Sequence, residues 1–369
     1  MTTPQLEIQA IAAVVAAACA LPGVFLVLRR TAMVSDAISH TVLLGIVLAF
    51  FVVEDLSSPL LVVGAAVVGV ATVSLIELVR KTGLVREDAA IGLVFPFLFS
   101  VAVILIARFA DQVHLDTDAV LLGELAFAPF DRLVIAGWDL GPKALFVMSA
   151  ILLLNLGAIV LLYKELKLAT FDAGLALALG FSPALVHYAL MALVSVTAVG
   201  AFDAVGSILV VALMVAPPVT AYLLTDRLSV MIALSVSVGV AAAVAGYWLA
   251  HALDASIAGS IATVLGAGFA AALLLAPRRG LVSLARRRAR QRWEFAQTML
   301  AIHLFTHERS PEAAQEARIE HLDTDLRWDP AFAEEVVRQA ERRGLVLRLD
   351  GSLALTEPGR RLARRALVH

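Results

Sequence analysis

Asp36 and His40 put a carboxylate and an imidazole four residues apart inside an otherwise apolar run, TAMVSDAISHTVLLGIVLA, residues 31–49. On a helix that spacing stacks the two side chains one turn apart on one face, where one small cation can touch both. Carboxylate oxygen and neutral imidazole nitrogen are donors of intermediate hardness, suited to Mn(II), Fe(II) or Zn(II). Cys19 is the only cysteine, which excludes a thiolate-rich metal cluster and any intrachain disulfide. The pair also has a plainer reading, as a helix-start cap or as two groups bonding each other at a membrane boundary, with Arg30 six residues before Asp36. Ionisable groups at membrane depth are costly unless paired or hydrated, so either reading must supply a partner.

The elements that position the pair are read from composition. AVILMFWYC residues make up 60% of the 369-residue chain and charged residues only 16%, and the mean hydropathy is +0.89. That is far from a globular mixture and predicts an all-α polytopic membrane protein. Runs long enough to cross a hydrocarbon core of about 30 Å fall at 7–28, 34–53, 60–79, 89–108, 142–163, 184–201, 205–224, 228–250 and 256–276, giving eight or nine transmembrane helices. Residues 119–130 read as a re-entrant or surface helix. The leading MTTPQLEIQ lacks the basic flank of a signal peptide, so the first run is expected to stay as a span.

Arg29, Arg30, Arg80, Lys81, Arg86, Lys164, Lys167, Arg227, Arg278 and Arg279 fall on alternate loops. By the bias of basic residues those loops are cytoplasmic, which puts the N-terminus outside and the C-terminus inside. Arg108, Arg132 and Lys143 run against this pattern. One cytoplasmic loop, Tyr163 to His187, is too polar at its start to span yet carries Leu166, Leu168, Phe171, Leu175, Leu177 and Leu179, and reads as a short surface helix.

Five motifs occur in order: MVSDAISHTVLLG, REDAAIGLVFPFLFS, KLATFDAGLALALGFSP, VGAFDAVGSILVVALMVAPPVTAYLL and LDASIAGSIATVL. Together, over roughly residues 8–276, they resemble the membrane subunits of ABC importers for manganese, zinc and iron. The resemblance implies a permease of the bacterial cytoplasmic membrane that pairs with a second copy or a paralogue. It would receive its ion from an extracytoplasmic metal-binding lipoprotein and be driven by a cytoplasmic ATP-binding subunit. It further implies that Asp36 and His40 face the translocation path, and that Phe171, Asp172, Leu175, Leu179 and Gly180 dock on the ATPase. No cofactor is expected to stay bound. The cargo is a divalent ion, manganese ahead of zinc and iron, and a site of two donors per protomer suits an ion that must be released. The chain departs from the pattern at Ser35, where relatives commonly have Gly, at Phe95 and Pro96, and at Ser256 and Ile257, where a Pro is often found.

Residues 1–277 thus form the expected transmembrane domain and 278–369 a cytoplasmic extension. The extension opens with a basic run, PRRGLVSLARRRARQRW, suited to anionic lipid. Helices are expected at Trp293–His307, at residues 310–320 and at Pro330–Arg343, then a hairpin turning at Asp350-Gly351 and a last helix after Thr356. That order resembles a winged-helix module like those of metal-responsive repressors. His303, His307 and His321 read either as a weak sensing site or as scattered surface histidines.

Other candidates are weaker. His114, Asp116 and Asp118 lie on an acidic outer loop, His187 and His251 are lone histidines flanking spans, and Asp88 and Asp203 also read as ordinary N-caps. No H-E-x-x-H helix and no Walker A loop is present, so neither a metalloprotease nor an ATP-hydrolysing enzyme is expected. The alternative function is a membrane-tethered, metal-responsive DNA-binding regulator, with salt-sensitive DNA binding by residues 286–369. Glu308, Glu312, Glu316, Glu320, Asp323 and Asp325 make the tail too acidic for nucleic acid to be the expected partner.

Overall fold

The computed structural model describes residues 3–54, 58, 60–109, 125–135, 138–308, 317–319, 322, 326–349 and 352–367. The chain divides into two compact units, Met1–Arg279 and Gly280–His369.

The first unit is a helical bundle. Among the described residues its helices are α1 (Thr3–Leu28), α2 (Met33–Val53), α3 (Leu60–Lys81), α4 (Glu87–Phe109), α5 (Lys143–Leu161), the short α6 (Tyr163–Phe171) and α7 (Ala173–Ala178), then α8 (Pro183–Leu224), α9 (Leu228–Leu253) and α10 (Ile257–Leu275). Eight of them are long and apolar enough to cross a membrane. The protein is therefore a multi-pass membrane protein. α1 is the most enclosed, packing against α5, α8 and α9.

α8 accounts for two of the expected spans. At 42 residues and about 1.5 Å per residue a straight helix would run roughly twice the hydrocarbon thickness. Gly206 breaks it with φ 76° and ψ 164°, a conformation open in practice only to glycine. The two arms then return to one end of the bundle. Near its start Tyr188 donates to Glu77 close to the end of α3. Near its finish Pro218 packs on Gly23 close to the end of α1. Arg29, one residue past α1, donates to Thr170 on α6, which fixes that end of α1 beside the surface helices.

Buried polar side chains tie the helices together where lipid supplies no hydrophobic drive between them. Asn155 of α5 donates to Ala18 O of α1 at 3.0 Å and to Thr197 Oγ1 of α8 at 2.8 Å. Thr72 of α3 donates to Thr41 of α2 at 2.9 Å, and Ser195 of α8 to Ala66 O of α3 at 3.1 Å. Gly45 of α2 lets α3 come close, since a Cβ there would sit 2.5 Å from Ala65 Cα.

Two features differ from the sequence expectation. Of the expected helix at 119–130, residues 119–124 lie outside the described residues, and 125–130 end in a 3-10 turn, Ala128–Phe130. It is followed by an antiparallel hairpin of β1 (Arg132–Ile135) and β2 (Trp138–Pro142), pairing Arg132 with Pro142 and Ile135 with Trp138. Two of the three cations that run against the loop charge pattern are neutralised there: Arg132 pairs with Asp139 at 2.5 Å and Glu7 at 3.4 Å, and Lys143 with Asp131 at 3.6 Å. The second difference is the surface helix expected between Tyr163 and His187, which is two helices. Asp172, extended at φ −150° and ψ 90°, ends α6, and its carboxylate caps α7 by accepting from Leu175 N–H at 2.9 Å.

The second unit holds α11 (Leu281–His307), α12 (Pro330–Arg342), the hairpin β3 (Val346–Leu349) and β4 (Ser352–Leu355), and α13 (Glu357–Leu367). Its own core joins Leu300, Leu304, Val336, Val337, Val346, Leu353 and Ala363. α11 begins twelve residues before the expected Trp293, because the basic run is rich in Arg, Ala and Leu, all strong helix formers. α12 ends at Gly344, whose φ is +65°. Most of the expected helix at 310–320, the turn Asp350-Gly351 and His321 lie outside the described residues; 317–319 include a bridge from Arg318 to Ser352.

Candidate metal translocation site

α2 starts at Met33, so Asp36 lies in its first turn, where the exposed backbone N–H groups favour a carboxylate. One turn on, His40 Nε2 lies 3.5 Å from Asp36 Oδ1, and the two side chains are 28% and 32% exposed respectively. The pair is enclosed on one side by α4. Phe95 stacks on the imidazole at 5.5 Å, and Phe99 meets it edge-on at 6.0 Å.

The neighbouring hydroxyls do not enlarge the donor set. Ser35, Ser39 and Thr41 all donate back to carbonyls of their own helix, as apolar surroundings favour. Asp36 and His40 are therefore the available donors on this face, and no group of three or more His, Cys, Asp or Glu able to hold an ion occurs among the described residues. Two donors with the rest of the shell left to water or to a second protomer bind an ion weakly and exchangeably. Phe95 and Phe99 escaped the sequence reading as site residues, although their spacing of four on α4 was visible.

The other candidates are placed differently. His114, Asp116 and Asp118 lie outside the described residues. His187 faces Glu77, with Nε2 at 3.1 Å from Oε1, and Tyr188 donates to the other carboxylate oxygen at 2.8 Å. Lys81 and Arg80 complete this cluster at 3.6 Å each. The sequence signal for Glu77 was its position four before Lys81. His251 stacks with Tyr247 at 6.4 Å and lines a pocket of about 420 Å³ with Asp254, Ile8 and Phe127. Asp254 ends α9 in a left-handed conformation. Asp203 lies within α8, exposed, three residues before Gly206, so it is not an N-cap. Asp88 follows the first residue of α4.

At the surface helices Phe171 is 63% exposed, and Leu175, Leu177, Leu179 and Leu185 are exposed beside it. Gly180, with φ +87°, turns the chain from α7 towards α8, and Ser182 caps α8 by accepting from Leu185 N–H. A contiguous apolar patch of this kind calls for a covering partner. Leu177 and Leu185 extend it beyond the residues singled out from sequence.

The model of the family described as "ABC 3 transport family" matches residues 6–276. The zinc transport system membrane protein TroD of Treponema pallidum is 47% identical over 362 residues, 98% of each chain, so the likeness continues through the tail. The manganese transport system membrane protein MntD of Bacillus subtilis is 46% identical over 73% of this chain and 91% of its own. Among solved structures, PsaBC from Streptococcus pneumoniae in complex with Fab superimposes with a TM-score of 0.65 at 27% identity, covering 77% of this chain and 96% of that one. With its eight apolar helices and a family match across the whole membrane unit, the chain belongs to the ABC 3 transport family.

Proposed function

We propose that the chain is the permease subunit of an ABC importer that carries a divalent transition-metal ion across the bacterial cytoplasmic membrane. The observation that carries this reading is the half-buried Asp36–His40 pair, a carboxylate and an imidazole 3.5 Å apart in an apolar bundle. Their chemistry suits manganese, iron and zinc, and relatives named for zinc, manganese and chelated iron support that class. Manganese ranks first, since the site offers no thiolate and leaves most of the coordination shell to oxygen.

The orientation follows from the charges. Arg29, Thr170, Asp226, Arg278 and Arg279 gather at one end of the bundle, where Arg278 and Arg279 pair with Asp226 at 2.9 and 2.6 Å. That end is taken as cytoplasmic, with the tail on the same side and the β1–β2 hairpin outside. A separate ATP-binding subunit docks on Phe171, Asp172, Leu175, Leu179 and Gly180. A metal-binding lipoprotein delivers the ion outside, and a second copy or a paralogue completes the pathway. The tail is a winged-helix-like regulatory extension. A metal-resolved uptake assay of the assembled complex tests the reading: manganese, zinc or iron must accumulate in an ATP-dependent manner, and transport of none of the three contradicts it.

A further inference from the structure

A second pair of donors lies in the tail unit. His303 and His307 sit one turn apart on α11 with ring centroids 4.9 Å apart and planes tilted by 45°. An ion held by two imidazoles at about 2.0–2.1 Å needs their nitrogens roughly 3 Å apart, a spacing that rings at this separation reach by small side-chain rotations. His303 is 8% exposed, on the side of α11 that carries Leu300 and Leu304 into the core. His307 opens on a cavity of about 160 Å³ whose walls include Glu308, Leu353, Leu355 and Arg360. Glu308 is held in place there. Its Oε1 accepts from Arg360 Nε at 2.9 Å and from Nη2 at 2.6 Å.

We propose that His303 and His307 form a second metal site, which takes a divalent transition-metal ion of borderline hardness. The Glu308 carboxylate beside them offsets the ion's charge. Two neutral donors bind weakly and reversibly, so the site fills only when free metal is abundant. An ion on His307 at this cavity competes with Arg360 for Glu308. The site stands on the geometry of the tail; only its use as a gauge of imported ion rests on the transport reading.

The test is calorimetric titration of the untagged full-length protein with Zn(II), in a background carrying Asp36→Ala and His40→Ala. One equivalent should still bind, and adding His307→Gln should weaken it at least tenfold. His307→Gln is the variant to use because His307 is only half-buried, whereas His303 is embedded; Trp293 and Trp328 fluorescence verifies that the tail stays folded. Equal Zn(II) affinity with and without His307→Gln in folded protein overturns the site, as does the loss of all binding in the Asp36→Ala, His40→Ala background. Uptake by the Asp36→Ala protein is measured separately, so the transport site and the tail site can fail independently.

Discussion

Arg29 Nε donates to Thr170 Oγ1 across 3.1 Å, joining the end of α1 to the surface helix α6. Four residues after Arg29, α2 begins and carries Asp36 and His40, so this one bond links the proposed docking surface to the helix of the proposed metal pair. Burial pulls the pKa of Arg29 below its ordinary value, and its Nη2 is buried with no partner among the described residues. A guanidinium retained at that cost needs a reason beyond packing.

Arg29→Met keeps the apolar stem and removes the charge. A hydrogen bond to a charged donor contributes about 1.5–3 kcal/mol, offset here by the cost of burying the charge, so the bundle's thermal stability should hold while uptake, for want of the α1–α6 link, falls by roughly tenfold. Uptake kinetics and scanning fluorimetry on one preparation check this. Normal uptake would show the bond to be incidental.

Gly206→Ala forces a side chain into a backbone region that costs about 1–3 kcal/mol. The melting temperature should drop, whereas Gly266→Ala, inside α10 with nothing within 4 Å of its Cβ position, should hold or raise it. Equal melting of the two variants would mean that the turn between the arms of α8 does not depend on glycine.

Much of this fold was legible in sequence because each span is a continuous apolar run. The two arms of α8 were separable because AFDAVG interrupts the apolar pattern, although only the structure shows that a single residue, Gly206, makes the turn. The Asp36–His40 pair was legible because its geometry is local to one helix. Glu77 with His187, and the Phe95–Phe99 wall, were not, since they depend on which helices become neighbours. The β1–β2 hairpin escaped because its strands are only four and five residues long, too short for alternation to stand out.

Cysteines placed one at a time from Phe171 to Gly180 should cross-link to the ATP-binding subunit and resist impermeant reagents applied outside intact cells. Cys19 is fully buried, so the background is low. Labelling of these positions from outside would reverse the proposed orientation.

Removing residues 294–369 should leave ion-specific uptake measurable and change its rate or its dependence on internal metal. The membrane unit has its own core, and the tail's core lies wholly within the second unit. Complete loss of uptake by a truncated protein that still assembles with its ATPase would make the tail an essential part of the cycle.

The most direct measurement is ATP-dependent uptake of radioactive manganese by the assembled complex carrying Asp36→Ala or His40→Ala, beside the unaltered protein. Each substitution removes one of the two donors found there among the described residues; Asp36→Ala leaves the packing in place and His40→Ala takes only the ring contacts with Phe95 and Phe99, so expression and assembly should be retained while uptake falls by at least tenfold. Normal uptake by both variants would contradict the account: the pair would then serve only to start α2, and the ion would cross elsewhere.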